Sequence, residues 1–212
     1  MAENQPELDL HLPDKSRDLR RGLSLALRPC QPVLAAVNGF QHQLAEAGPD
    51  QYFYRPAELH VTVLAIIPGS ESWRDRFPHL AAYQSILRAV LSRHRPFTIT
   101  FRGVTASRGG VMIQGFPQDD TLAGIRNDLR QALRQSQLGD QLDARYKINT
   151  AHMTVMRFCN ANLDGKRLLA LLQANRATDF GMTHVANLEL VLCDWYASAD
   201  TASILAEYQL TA

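Results

Sequence analysis

Apolar positions along this chain follow two periods in turn, and the switches between them mark out its elements. Residues 23–28 alternate large and small side chains and stop at Pro29, which predicts a strand with Leu23, Leu25 and Leu27 toward a core. Pro32 then opens a helical pattern, Val33, Leu34, Val37, Phe40 and Leu44, that Gly48-Pro49-Asp50 ends. Residues 59–67 form a near-continuous apolar, β-branched run closed by Pro68-Gly69, which predicts a strand buried on both faces and central in its sheet. Residues 80–93 carry one apolar stripe, Tyr83, Ile86, Leu87, Val90 and Leu91, so a helix is expected there. Residues 97–102 alternate strictly, and 111–115 answer them across the turn residues of 107–110, as a hairpin would.

The second half repeats this plan. Residues 119–138 predict a helix with Leu122, Ile125, Leu129 and Leu133 inward; 148–158 a strand; 163–174 a second helix; 187–195 and 203–210 two closing strands. Before all of this, residues 1–21 mix both charges with Pro6 and Pro13 and show neither period, so they are expected to be a flexible leader outside a single domain spanning 22–212.

Composition narrows the classes. A 212-residue chain with 46% hydrophobic and 20% charged residues has material for one substantial core. No stretch approaches the length of about 20 apolar residues that a bilayer requires. Lys and Arg nearly balance Asp and Glu at a formal charge of +1, so no global basic field exists to grip a long nucleic acid, whereas a small anionic ligand is compatible. Cys30, Cys159 and Cys193 are odd in number and far apart, and the first residues lack an apolar stretch behind a basic one; a cytoplasmic, monomeric protein without a disulfide framework is expected.

The candidate chemistry lies in a duplication. His60-Val61-Thr62-Val63 and His152-Met153-Thr154-Val155 repeat His-apolar-Thr-apolar 92 positions apart, each in an apolar strand. Residues i and i+2 of a strand share a face, so each copy sets an imidazole beside a hydroxyl. A single copy is best explained as an ordinary core histidine; two copies facing one cleft would supply a base, an acid and two neutral donors for phosphoryl oxygens, which is what displacement at a phosphodiester needs. Neither motif contains Asp or Glu, and no H-E-x-x-H or H-x-H occurs, so no metal or other cofactor is expected.

The paired motifs resemble those of the two-histidine (2H) phosphoesterase superfamily, also called LigT-like, which includes cyclic phosphodiesterases and 2′-5′ RNA ligases. The resemblance runs from about residue 22 to the end. It implies a bilobal α+β fold in which two pseudo-symmetric antiparallel β-sheets form a central cleft with helices packed outside. Carried over residue by residue, it implies His60 and His152 as the acid/base pair and Thr62 and Thr154 as phosphate anchors, acting on a 2′,3′-cyclic phosphate of a small nucleotide or an RNA terminus. Ligation on the same fold, or a noncatalytic nucleotide-binding module, are the alternatives.

Further contacts are expected from placement alone, each competing with simple packing. Phe158 shares the parity of His152 and Thr154 and would wall the cleft. Tyr54, with Tyr52 and Phe53, precedes the first motif; Trp195 and Tyr196 end a strand. Gln114 has no assignable face, because Val111, Met112 and Ile113 are all apolar. Arg126, Arg130 and Arg134 recur at helical spacing and predict a solvated stripe.

Overall fold

The computed structural model describes residues 6–143 and 147–211. Its first sheet is built from β1 (Arg21–Leu27), β3 (Val61–Ser70), β8 (Asn187–Asp194) and β9 (Ser203–Gln209), in the order β3-β1-β8-β9 with all neighbours antiparallel. The second is built from β2 (Tyr52–Phe53), β4 (Phe97–Ser107), β5 (Gly110–Pro117), β6 (Ala151–Arg157) and β7 (Asp179–Val185), in the order β2-β6-β5-β4-β7 and also antiparallel. Among the described residues four α-helices cover the outer faces: α1 (Gln31–Ala45), α2 (Leu80–Leu91), α3 (Thr121–Gln135) and α4 (Gly165–Ala174). Their stripes are the ones the apolar spacing marks, with Val33, Val37, Phe40 and Leu44 of α1 and Leu122, Ile125, Leu129 and Leu133 of α3 all buried. This is the α+β, two-sheet architecture expected. Each sheet holds one His-x-Thr motif, and the chain passes between the sheets, so neither is a contiguous half.

Four details differ from the sequence reading. The long apolar run of β3 lies at an edge of its sheet, not at the centre. Its lack of alternation comes from register shifts against β1: Ala26 faces Thr62, Leu25 faces Leu64, Ser24 faces Ala65 and Leu23 faces Ile67. Each shift resets the alternation, so from Val61 to Ile67 all but Thr62 and Ala65 are buried. Pro68 lies inside this strand, which itself signals an edge, because Pro cannot donate to a second ladder.

The apolar pattern does not reveal β2 or β7. β2 is too short to show a period, and in β7 the left-handed Gly181 (φ 95°) and a register shift against β4 put Phe180, Thr183 and Val185 inward while Met182 is exposed. The expected flexible leader, from residue 6 onward, packs against both sheets. The Glu7 amide donates to the Arg108 carbonyl and the Asp9 amide to the Phe158 carbonyl, Leu12 is buried, and Lys15 donates to the Tyr52 and Ser198 hydroxyls. These contacts are tertiary and leave no local period to read; residues 1–5 of that leader lie outside the described residues.

The fourth difference concerns the arginine stripe of α3. Arg126 and Arg130 are buried, not solvated, because they face the backbone of chain segments whose carbonyls have no strand partner. The fold also depends on Gly103 at the bulge of β4, where φ is 74° and a Cβ would stand 2.4 Å from the Arg176 carbonyl oxygen. Gly103→Ala is expected to destabilise the protein by at least about 2 kcal/mol through backbone strain and this clash, measured as a lower urea midpoint.

Candidate active site

Between the sheets lies a cleft of about 210 Å³, lined by His60, Thr62, His152 and Thr154 together with residues of β1, β8 and the loop after β8. On the first sheet, Gly22, Ser24 and Ala26 of β1 are the small partners of its buried leucines, and they form a floor with almost no side-chain bulk. The four motif residues thus converge on one space. Tyr54, Trp195 and Tyr196 also line it. Gln114 sits opposite His152 in the β5–β6 ladder and so shares its face of the sheet.

Phe158 is not in the cleft. It is 3% exposed and belongs to the main core. The cause is a bulge: Met112 of β5 faces Thr154, but Val111 faces Met156, so Val155 is an extra residue and the alternation resets. Val155 and Met156 both turn inward, and Arg157, opposite Gly110, takes the next cleft-facing place, which unbroken alternation gives to Met156, while Phe158 turns into the core. The same event occurs at the same point of the first motif, since Val63 is the extra residue between Thr62 and Leu64, and there Ala65 re-enters the cleft. Two adjacent inward apolar residues after each Thr were the available signal. Gln41, buried on α1, donates to the Tyr54 and Val155 carbonyls, the second of which also accepts from the Tyr54 amide, and so ties α1 to the backbone at the bulge.

Arg157 lies beside the second motif, with its Nε donating to the Tyr54 hydroxyl at 2.7 Å and no carboxylate paired with it among the described residues. Arg28, also lining the cleft, is held by Glu189 at 2.9 Å and by the Ala57 carbonyl. Trp195 is packed where Gly69 leaves room for its ring, and the Arg20 guanidinium lies 4.5 Å from the ring centroid. Asp194 organises the loop that carries it, accepting from the Tyr196 and Ser198 amides and the Thr201 hydroxyl.

The first histidine is held by its neighbours. Its Nδ1 lies 2.7 Å from the Glu58 carbonyl, which can only accept, so Nδ1 carries the proton and Nε2 is left for the cleft. Glu58 is 0% exposed and fixed in turn. Its carboxylate accepts from the Tyr52 hydroxyl, from the Arg55 amide and guanidinium and from the Ala199 amide. Burial alone would push this carboxyl up, but the donors from Arg55, Tyr52 and Ala199 hold it below its ordinary value. The second histidine has Nδ1 3.3 Å from the Thr150 hydroxyl. Burial lowers the pKa of both rings; the cation of Arg28 and the neighbouring His152 add to this at His60, and the cation of Arg126 adds to it at His152.

Arg126 joins the two motif segments from behind the cleft. Its Nε donates to the Val63 carbonyl (2.9 Å), Nη2 to the Thr62 (3.1 Å) and Thr150 (3.0 Å) carbonyls, and Nη1 to the Asn149 carbonyl (3.1 Å). Burying a guanidinium costs several kcal/mol. Four charge-assisted bonds of about 1.5 to 3 kcal/mol each are of the size needed to offset that. One turn further along α3, Arg130 pairs with Asp143 at 2.8 Å and donates to the Ile148 carbonyl at 2.9 Å.

With this geometry established, comparison with known proteins assigns the class. The chain belongs to the 2′-5′ RNA ligase superfamily, whose family model matches residues 29–191. Its fold is that of the LigT-like, two-histidine phosphoesterases. No curated protein matches the chain. Among solved structures, TT0787 of Thermus thermophilus is similar with a TM-score of 0.66 at 17% identity, over 89% of this chain and 97% of that one. E. coli LigT complexed with 3′-AMP gives 0.59 at 14% identity, over 91% and 99%. The MHV ns2 PDE domain gives 0.50 at 17% identity, over 82% and 97%. At these identities the likeness is one of fold. Among the described residues no helix is long and apolar enough to cross a membrane, and no group of three His, Cys, Asp or Glu side chains is placed to hold a metal ion.

Because both ring shifts are downward, each imidazole is expected to be neutral at pH 7 in the free protein. An NMR titration of the ring signals should place both midpoints below the unperturbed value near 6.5; a midpoint above it for either ring would contradict the environment described.

Proposed function

We propose that the protein is a phosphoesterase that opens a cyclic phosphodiester, a 2′,3′-cyclic phosphate on a small nucleotide or an RNA terminus, to a monoester. The observation that supports this most is the convergence of two imidazole–hydroxyl pairs on one cleft. In this reading one imidazole removes the proton of the attacking water and the other, charged when the anionic substrate arrives, protonates the departing ribose oxygen. The Thr62 and Thr154 hydroxyls donate to non-bridging oxygens, and Arg157 offers the cation that pairs with the phosphate. The small residues of β1 leave space for the sugar, while Tyr54 and Trp195 border it. Cys30, Cys159 and Cys193 are free thiols, which accords with a cytoplasmic setting.

Two proteins similar in fold support this reading by their names, E. coli LigT complexed with the nucleotide 3′-AMP and the MHV ns2 PDE domain. The family description names ligation, the reverse chemistry, which the same four groups could serve. A formal charge of +1 gives little of the broad basic surface that holding two RNA ends calls for, so hydrolysis is preferred.

Purified protein with EDTA present is expected to turn over 2′,3′-cyclic nucleotides, and His60→Ala or His152→Ala should each lower kcat by about 10² to 10⁴. Binding by calorimetry without turnover would favour a noncatalytic module. One ring must be neutral and the other charged, so kcat/KM rises with pH as the base loses its proton and falls as the acid does. With both pKa values lowered in the free protein, the maximum of that bell is expected below about pH 6.5, and a maximum above pH 7 would contradict the assignment.

A further inference from the structure

The two sheets share no ladder where the motifs meet. β3 is an edge strand, and residues 148–150 approach β6 before its pairing begins, so both segments bring carbonyls without strand partners to the same gap. Arg126 fills that gap. Of the four carbonyls it binds, one belongs to the motif residue Thr62, one to Val63 beside it, and one to Thr150, whose hydroxyl contacts the His152 ring.

We propose that Arg126 is a positioning residue of the cleft: a single guanidinium, gripping the backbone of both motif segments, sets the distance between the two imidazole–hydroxyl pairs. The proposal rests on the acid/base reading above. Docking of α3 does not itself require a charge, since Leu122, Ile125, Leu129 and Leu133 already bury its inner face. No carboxylate among the described residues pairs with Arg126, in contrast to Arg130, which has Asp143. A planar fork with donors in three directions reaches two segments at once, which an ammonium on a flexible stem cannot reproduce with the same geometry. The remaining charged or titratable groups that line the cleft with His152 are His60, Arg28, Arg157, Asp143 and Asp194, with Tyr54, Cys193 and Tyr196 uncharged at neutral pH.

The test compares Arg126→Lys, Arg126→Met and, as a control on the same helix face, Arg130→Lys, using a 2′,3′-cyclic nucleotide for kinetics and NMR for the histidine titrations of the free proteins. Both Arg126 variants are expected to lose about 10- to 100-fold in kcat with KM changed much less, because misplacement of the reacting groups costs the chemical step. Arg126→Met, lacking the cation, should raise the His152 midpoint and leave that of His60 nearly in place; Arg126→Lys should keep the His152 midpoint while still losing rate. Arg130→Lys should lower stability with kcat retained. A folded Arg126 variant with wild-type kcat overturns the proposal, whatever its His152 midpoint. Should Arg126→Met fail to fold, the Lys variant decides. Should neither fold, slow exchange of the Arg126 guanidinium protons in the wild type, with signals that shift when inorganic phosphate is added, supports the staple, and fast exchange with no shift overturns it. Absence of turnover by the wild-type protein sinks the functional reading instead, and the guanidinium-exchange measurement with inorganic phosphate then judges Arg126 by the same two outcomes.

Discussion

Side chains from two separate sheets can face one cleft in a fixed geometry only if the sheets are held at a fixed separation, and a β-ladder does not supply that here. β3 ends its own sheet, and the run of chain into β6 is not yet paired. The carbonyls facing the gap would be costly to bury unbonded. Hydrogen bonds from one guanidinium meet that need on both sides, so the same atoms that satisfy the backbone also join the two motif segments. At the opposite end of the cleft, residues 7–18 of the leader tie the end of β6 to the loop after β8, through Asp9 to the Phe158 carbonyl and the Tyr196 hydroxyl and through Lys15 to Ser198.

The electrostatics of the cleft follow from this arrangement. Burial of both imidazoles disfavours their charged forms, and the cations of Arg28 and Arg157 in the cleft and Arg126 behind it add to this, while the buried carboxylate of Glu58 is already occupied by its own donors. Such a site disfavours imidazolium when empty. Any anion entering the cleft would bring negative charge that reverses this preference, so charging of a ring and binding of an anion are linked. The Nδ1–H of His60 is committed to a backbone carbonyl, which leaves Nε2 without that proton.

The bulges explain which residues accompany the histidines. Directly after each motif Thr an extra valine, Val63 or Val155, shifts the strand so that the next cleft-facing residue comes three positions on. The two halves of the cleft therefore share a backbone device but differ in chemistry, with Ala65 on one side and Arg157 on the other. The open side, with Ala65 beside Ser24 and Ala26, has room; the other side holds a cation. A pseudo-symmetric scaffold thus yields a site whose two ends differ in space and charge.

Most helices, the main strands and the paired motifs were legible in the sequence, because burial of one face leaves a period that composition cannot hide: the α1 and α3 stripes and the β1 leucines are inward as spaced. The four motif residues were legible for a related reason, since i and i+2 stay on one face over so short a span. Parity failed one residue further on. A bulge is set by how a strand meets its neighbour, so the exchange of Phe158 for Arg157, and the edge position of β3, were decided by pairing between distant segments. The burial of Arg126 belongs to the same category. On its own helix it is one charge in a row of three, and only the carbonyls of residues 62, 63, 149 and 150, brought together by the fold, give it something to hold.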